Sequence, residues 1–316
     1  MMARKFAAEL LGTALLVFFG AGAATLVFGF RIFGASYAAG LIAVALAFGL
    51  IYAALVYVIG PISGGHVNPA VTLGAFLGKR LTAAELGGYW VAQLVGAIFG
   101  TLVLWWMLST SPFYNKARVG LGANGYGANS FLRIGAGGAF LVEVVLTGVF
   151  VLVVLSLTRE GATVAVSGMG IGIALALANL IGIPFDGASV NPARSFGPAI
   201  VAGGSVLSQL WLFLIAPLVG AVLAAGAHLL LYPPPEARPT ADGQARHAGY
   251  GAQPSPAGGA TSTAARASGT APGAPEEAGH PAAGPAADQG VASRLRQLLR
   301  RLFGRPAPGR RGTLAA

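Results

Sequence analysis

The sequence predicts an all-α membrane protein: six transmembrane helices plus two re-entrant half-helices, arranged as an inverted repeat. Three observations carry this. Hydrophobic residues make up 55% of the chain and charged residues 9%, with mean hydropathy +0.71, whereas a soluble domain carries about 25% charge. Six apolar runs are long enough to cross a hydrocarbon layer ~30 Å thick. The tripeptide Asn-Pro-Ala occurs twice, as Asn68-Pro69-Ala70 and Asn191-Pro192-Ala193, each after about two spans and a Gly-containing loop.

The spans run approximately over 6–28, 37–59, 86–108, 137–157, 164–183 and 208–231. Breakers separate them in the loops Arg31 to Ser36, Ser109 to Arg133 and Thr158 to Ala162. Arg4-Lys5 ahead of the first run looks like a signal-peptide start. No small-residue cleavage site ends a short core, so the run is expected to be an uncleaved span. The half-helices are placed at about 68–78 and 191–201. Asn can cap a helix and Pro fits its first turn, where no N–H is needed, so each Asn-Pro reads as a helix start. Val71 to Leu77 and Ser195 to Val201 are apolar but too short to cross. Two such elements are expected to dip in from opposite faces and meet near the middle.

The halves repeat, over about 1–110 and 136–232 of a membrane domain spanning 1–232. Glu9 in the first span and Glu143 in the fourth precede their Asn-Pro-Ala by 59 and 48 residues. Three spans per half is an odd number, so the second half must be inserted upside down. Inverted repeats with broken helices at the midplane are a transport architecture. Glycines recur in the spans, among them Gly12, Gly20, Gly49, Gly96, Gly100, Gly172 and Gly220; in lipid, small residues let helices approach closely. With both termini in the cytoplasm, Arg4, Lys5, Lys79, Arg80 and Arg159 lie inside, and Arg31, Lys116, Arg118 and Arg133 outside. The ten arginines after Pro233 tip that balance, so both termini are expected to be cytoplasmic.

Other classes find no support. The formal charge of +10 comes from residues that flank spans or sit in the tail, where inside loops and lipid headgroups account for them, so no nucleic-acid partner is expected. The chain has no cysteine, which excludes disulfides and thiol chemistry. Glu9 and Glu143 are accompanied by no Cys or metal-ligand cluster, and His66 is the one His near either. No catalytic residue, cofactor or metal is expected.

From Pro233 the composition shifts to Pro, Gly, Ala, Ser and Thr, a linker over 233–290 that cannot bury a core. In 291–305, Val291, Leu295, Leu298, Leu299, Leu302 and Phe303 share one helical face, and Arg294, Arg296, Arg300, Arg301 and Arg305 take the other. A basic amphipathic helix of this kind suits a membrane surface; contact with a partner protein is the alternative. Residues 306–316 are expected to be a disordered tail.

Ser63-Gly64-Gly65-His66-Val67-Asn68-Pro69-Ala70-Val71-Thr72-Leu73-Gly74 and Gly187-Ala188-Ser189-Val190-Asn191-Pro192-Ala193-Arg194-Ser195-Phe196-Gly197-Pro198-Ala199 resemble the paired signature loops of the aquaporin (major intrinsic protein) family, in its bacterial water-channel form. The resemblance runs from about Arg4 to Leu231. It implies a passive channel for water, with glycerol or other small uncharged solutes open, that excludes protons and ions. It also implies a multi-pass homotetramer in the plasma (inner) membrane. Opposed half-helix N-termini, each with about half a positive charge, would repel cations at the midplane.

By the same resemblance, Asn68 and Asn191 donate to the permeating molecule while their side-chain oxygens are held; capping alone is the simpler account. Phe48, Asn179, Ala188 and Arg194 would form the outer constriction. A charge at membrane depth is by default functional, which singles out Arg194 without any resemblance; Phe48 alone is an ordinary lipid-facing aromatic. Glu9 and Glu143 would prop the loops by accepting backbone N–H bonds. His66 would orient loop carbonyls, with gating by its protonation as the alternative, and His228 reads as an interfacial residue.

The substrate signals are mixed. Water-selective members carry His where this chain has Asn179 and a larger residue where it has Ala188. Glycerol facilitators carry Asp directly after the Arg, where Ser195 stands here. Ahead of Pro217, Phe213 is water-like, whereas Leu214 stands where water channels have Trp. A secondary transporter is the alternative, but it needs ion-coordinating carboxylates or a proton relay in its spans, beyond Glu9, Glu143 and Arg194. A structural junction protein on a closed channel fold is a third class that no residue marks.

Overall fold

Each apolar run becomes a helix. The computed structural model describes residues 2–32, 34, 36–159 and 164–232. In chain order the α-helices are α1 (Met2–Ala24), α2 (Tyr37–Ser63), α3 (Pro69–Leu77), α4 (Ala83–Ser109), α5 (Lys116–Val119), α6 (Ala136–Leu157), α7 (Val164–Asp186), α8 (Pro192–Ala202), α9 (Gly204–Ser208) and α10 (Leu210–Leu231). A π-helical turn, Thr25–Gly29, prolongs α1. Among the described residues, six helices are long and apolar enough to cross a membrane. The linker at 233–290, the amphipathic helix at 291–305 and the tail at 306–316 lie outside the described residues.

Two spans run past their expected ends through a proline. α2 continues through Pro61 to Ser63 and α7 through Pro184 to Asp186. A proline near the end of a helix keeps helical φ and removes a single donor, so it does not have to stop the helix. α2 then ends at Gly64, whose φ of 93° supplies the left-handed cap. At the start of α4, Thr82 and Glu85 form a reciprocal capping box.

The two halves pack by one rule. α1 lies on α4 and α2, as α6 lies on α10 and α7, and α2 crosses α7 at the centre. Each half-helix rests on the last span of the other half, α3 on α10 and α8 on α4. Glycines set the approach. A Cβ on Gly96 or Gly100 would collide with the Leu10 or Ala14 carbonyl of α1, and Gly49 and Gly172 stand carbonyl against Cα where α2 meets α7. Lipid supplies no hydrophobic drive between spans, so this close approach is what packing energy requires.

At one end, Arg80 ties the halves together, donating to Leu155 O (2.9 Å) and Thr158 Oγ1 (2.8 Å) at the end of α6. His228 stands in the last turn of α10, where it is buried against protein, 3.4 Å from the Arg80 guanidinium.

Candidate functional site

The two Asn-Pro-Ala segments meet at the centre. Asn68 and Asn191 are the N-caps of α3 and α8, with Pro69 and Pro192 in the first turn. Asn68 Oδ1 accepts from Ala70 N at 2.8 Å. Asn191 Oδ1 accepts from Ala193 N at 3.0 Å and Arg194 N at 3.2 Å. Each Nδ2 crosses to the other half: Asn68 donates to Val190 O (2.9 Å) and Asn191 to Val67 O (2.8 Å). An amide NH2 carries two donors, so each Asn retains one N–H after this bond. The side-chain oxygens are therefore held, and the free N–H of each is set by the bonds of its neighbours.

Those carbonyls face each other because the loops before them are bent. Val67, Ala188 and Val190 have φ of 41°, 52° and 54°, a region unfavourable for residues with a Cβ. Two buried carboxylates hold them there. Glu9 accepts from His66 N (2.9 Å), Val67 N (2.7 Å), Ser63 Oγ (2.7 Å) and Gln93 Nε2 (2.7 Å). Glu143 accepts from Ser189 N (2.6 Å) and Val190 N (2.8 Å). The His66 ring faces the Thr72 hydroxyl at 3.2 Å and no loop carbonyl; the His66 carbonyl itself accepts from Tyr52 Oη at 2.6 Å.

Arg194 is 3% exposed, a guanidinium enclosed at membrane depth. It donates through one terminal nitrogen to Gly122 O (2.7 Å) and through the other to Gly187 O (3.5 Å). Its carbon lies 4.8 Å from the Phe48 ring centre, within cation–π range. The ring is seated against α1, where a Cβ on Gly20 would fall inside it. The other two expected filter residues lie on α7 and in the loop after it. Ala188 follows Gly187 and packs on Gly182 of α7, one turn beyond Asn179. Asn179 turns its Nδ2 back to Leu175 O (2.9 Å). Asn179 Oδ1 and Arg194 Nε are both buried and without a partner.

A cavity of about 640 Å³ opens on Arg194, with Arg31, Tyr37, Asn129, Phe131 and Asp186 in its wall. Phe131 stacks on Tyr37 with ring centres 4.2 Å apart. Sequence reasoning missed the residues that build this side. The loop after α4 folds inward so that Gly122 meets Arg194, and Asn124 accepts from Ser195 Oγ at 2.7 Å. Nothing in a Gly- and Asn-rich loop advertises such contacts. Asp186 did carry a signal: it precedes Asn191 by five residues, as Ser63 precedes Asn68. Among the described residues no group of His, Cys, Asp or Glu could hold a metal ion.

With this geometry in place, comparisons with known proteins agree on one family. The profile of the Major intrinsic protein family matches residues 1–228. Aquaporin Z of Rhodopseudomonas palustris is 41% identical over 235 residues, 74% of this chain and 96% of that protein. Aquaporin Z of Brucella melitensis is 43% identical over 224 residues, 71% of this chain and 96% of that protein. The X-ray structure of the aquaglyceroporin from Plasmodium falciparum superposes with a TM-score of 0.65 at 25% identity, covering 74% of this chain and 98% of that one.

Proposed function

The chain belongs to the major intrinsic protein family, and from that premise we propose that it is a passive channel whose constriction passes water and, beside it, glycerol-sized uncharged solutes. The observation that carries the reading is that two side chains read as lining the constriction each keep a buried atom without a partner, Arg194 Nε and Asn179 Oδ1. One is a donor and the other an acceptor. A hydroxyl needs both, because it accepts through its oxygen and donates through its hydrogen. A buried polar atom without a partner is costly, so a passing hydroxyl or water satisfies what the protein leaves open.

Phe48 and Ala188 make the rest of the wall, one flat and apolar, the other small. Arg194 keeps its charge, and the half-helix N-termini at Asn68 and Asn191 add positive potential behind it, so cations and protons are excluded. Each Asn offers its remaining N–H to the permeant oxygen. Glu9, Glu143 and His66 act on the loops and not on the permeant. The family is one of channels and not of enzymes.

The protein is a multi-pass membrane protein. We place it in the plasma membrane as a homotetramer, as membership of the family suggests, with both termini in the cytoplasm, where the ten arginines after Pro233 tip an otherwise near-even balance. Native mass measurement in mild detergent checks the tetramer; a monomer throughout argues against it. The function is tested by stopped-flow light scattering on proteoliposomes, with osmotic steps of an impermeant sugar for water and of glycerol for solute. Fast water entry with measurable glycerol entry is expected. Glycerol permeability equal to that of empty vesicles would restrict the pore to water.

A further inference from the structure

We propose that Asp186 is a positioning residue of the outer loop that works as a carboxylic acid, donating a proton to Glu143 where the first half of the molecule uses a serine hydroxyl. The internal repeat makes the argument. In the first half, Ser63 stands five residues before Asn68. Its Oγ accepts from Gly65 N at 3.2 Å and donates to Glu9 Oε1 at 2.7 Å. In the second half, the residue five before Asn191 is Asp186. Its Oδ1 accepts from Ala188 N at 3.0 Å, the counterpart of the Gly65 bond. Ser189 N and Val190 N on Glu143 are the counterparts of His66 N and Val67 N on Glu9.

What the second half lacks is the hydroxyl donor. Asp186 is 1% exposed, and its Oδ2 has no hydrogen-bond donor facing it. Its carboxylate and that of Glu143 accept from successive backbone N–H groups, those of Ala188 and Ser189, which sets the two side chains next to each other as Ser63 and Glu9 are in the first half. Two enclosed carboxylates at that range cannot both be charged, and one proton between them turns repulsion into a short bond. Both Glu143 oxygens already accept from backbone N–H groups, so the proton sits on Asp186 Oδ2 and points at Glu143. The charged groups that face this pair are Glu143 itself on α6 and Arg194 on α8. Asn124, from the loop after α4, adds an uncharged donor to the Asp186 carbonyl at 3.4 Å, and Arg31 stands elsewhere in the wall of the same cavity.

Asp186 and Glu143 together thus hold three successive N–H groups, those of Ala188, Ser189 and Val190, in a loop where Ala188 and Val190 both have positive φ. Loss of the proton would place a second negative charge beside Arg194 and drive the carboxylates apart, moving Ala188. That last step rests on Ala188 forming part of the constriction; the proton itself does not, and the two are read separately.

Infrared difference spectroscopy on the reconstituted full chain detects a neutral carboxylic acid by its C=O stretch. The wild type is expected to show that band at neutral pH, and both Asp186→Asn and Asp186→Ser to lose it. A wild type without the band, or a band that survives in both variants, overturns the assignment. Water permeability of the wild type is expected to fall severalfold as the outer solution is made strongly alkaline. Asp186→Ser, which restores the donor used in the first half, is expected to flatten that profile, and Asp186→Ala to lower permeability at every pH. Identical alkaline profiles for wild type and Asp186→Ser would overturn the positioning role.

Discussion

The Arg194 guanidinium lies over the face of the Phe48 ring, so the one enclosed cation of α8 is aimed by an aromatic of α2. Two carbonyls complete its setting, those of Gly122 and Gly187. This geometry suits a planar fork and not a point charge.

Arg194→Ala is therefore expected to let protons or small cations leak while water flux persists, and Arg194→Lys to restore the barrier only in part. A pH-sensitive dye inside proteoliposomes measures the leak. A proton rate unchanged from wild type in Arg194→Ala would remove Arg194 from the barrier.

Asn179→His should narrow the opening with a ring and withdraw the free Oδ1. Glycerol flux is expected to drop about tenfold or more, equivalent to roughly 1.4 kcal/mol in the barrier, with a smaller change in water flux. Equal loss of both, or an unchanged glycerol rate, would show that Asn179 does not line the constriction.

Glu9 gathers four donors from α2, the following loop and α4. Glu9→Ala strands them, and hydrogen bonds to a charged group contribute about 1.5–3 kcal/mol each. The variant is expected to lose at least about 3 kcal/mol of stability or to fail to accumulate. Thermal unfolding in detergent reads this, and a melting curve matching wild type would contradict it.

Gly96 and Gly100 are one turn apart on α4 and face the carbonyls of Leu10 and Ala14, one turn apart on α1. Gly100→Val forces those backbones to separate, an overpacking cost of about 1–3 kcal/mol. Expression with a lowered melting temperature is expected for Gly100→Val. Gly87→Val is the control, since a Cβ there meets nothing within 4 Å.

Truncation after Tyr232 should leave water permeability per molecule unchanged, because Pro/Gly/Ala-rich sequence adds nothing to a packed bundle. The 288–311 peptide should bind anionic vesicles, each basic residue adding about 1 kcal/mol. A large loss of flux at normal expression would instead make the tail part of a gate, and a peptide that ignores the vesicles would remove its surface role.

What could be read from the chain and what could not divides along physical lines. Span length and Asn-Pro starts are local, so the six spans and both half-helices were legible to within a few residues. α2 and α7 each continue a few residues past the expected end, through Pro61 and Pro184. The partners of Arg194 in the loop after α4 and the pairing of Asp186 with Glu143 are tertiary. Gly122 carries no pattern of its own, and Asp186 carries only its place five residues before Asn191; each acquires its partner only when a helix more than thirty residues away is brought beside it.

The crossed amides of Asn68 and Asn191 have a mechanical meaning. A carrier that alternates between two faces must part its halves at the substrate site once per cycle. Here the halves are stitched at that level by two hydrogen bonds of 2.9 and 2.8 Å, each made by the cap of one half-helix to the loop of the other. Opening one face against the other would tear out both caps at once. The molecule is thus a fixed conduit with no stroke. Its flux should rise in proportion to the gradient, without saturating, and should continue in a rigid, cooled bilayer where a rocking carrier would stall.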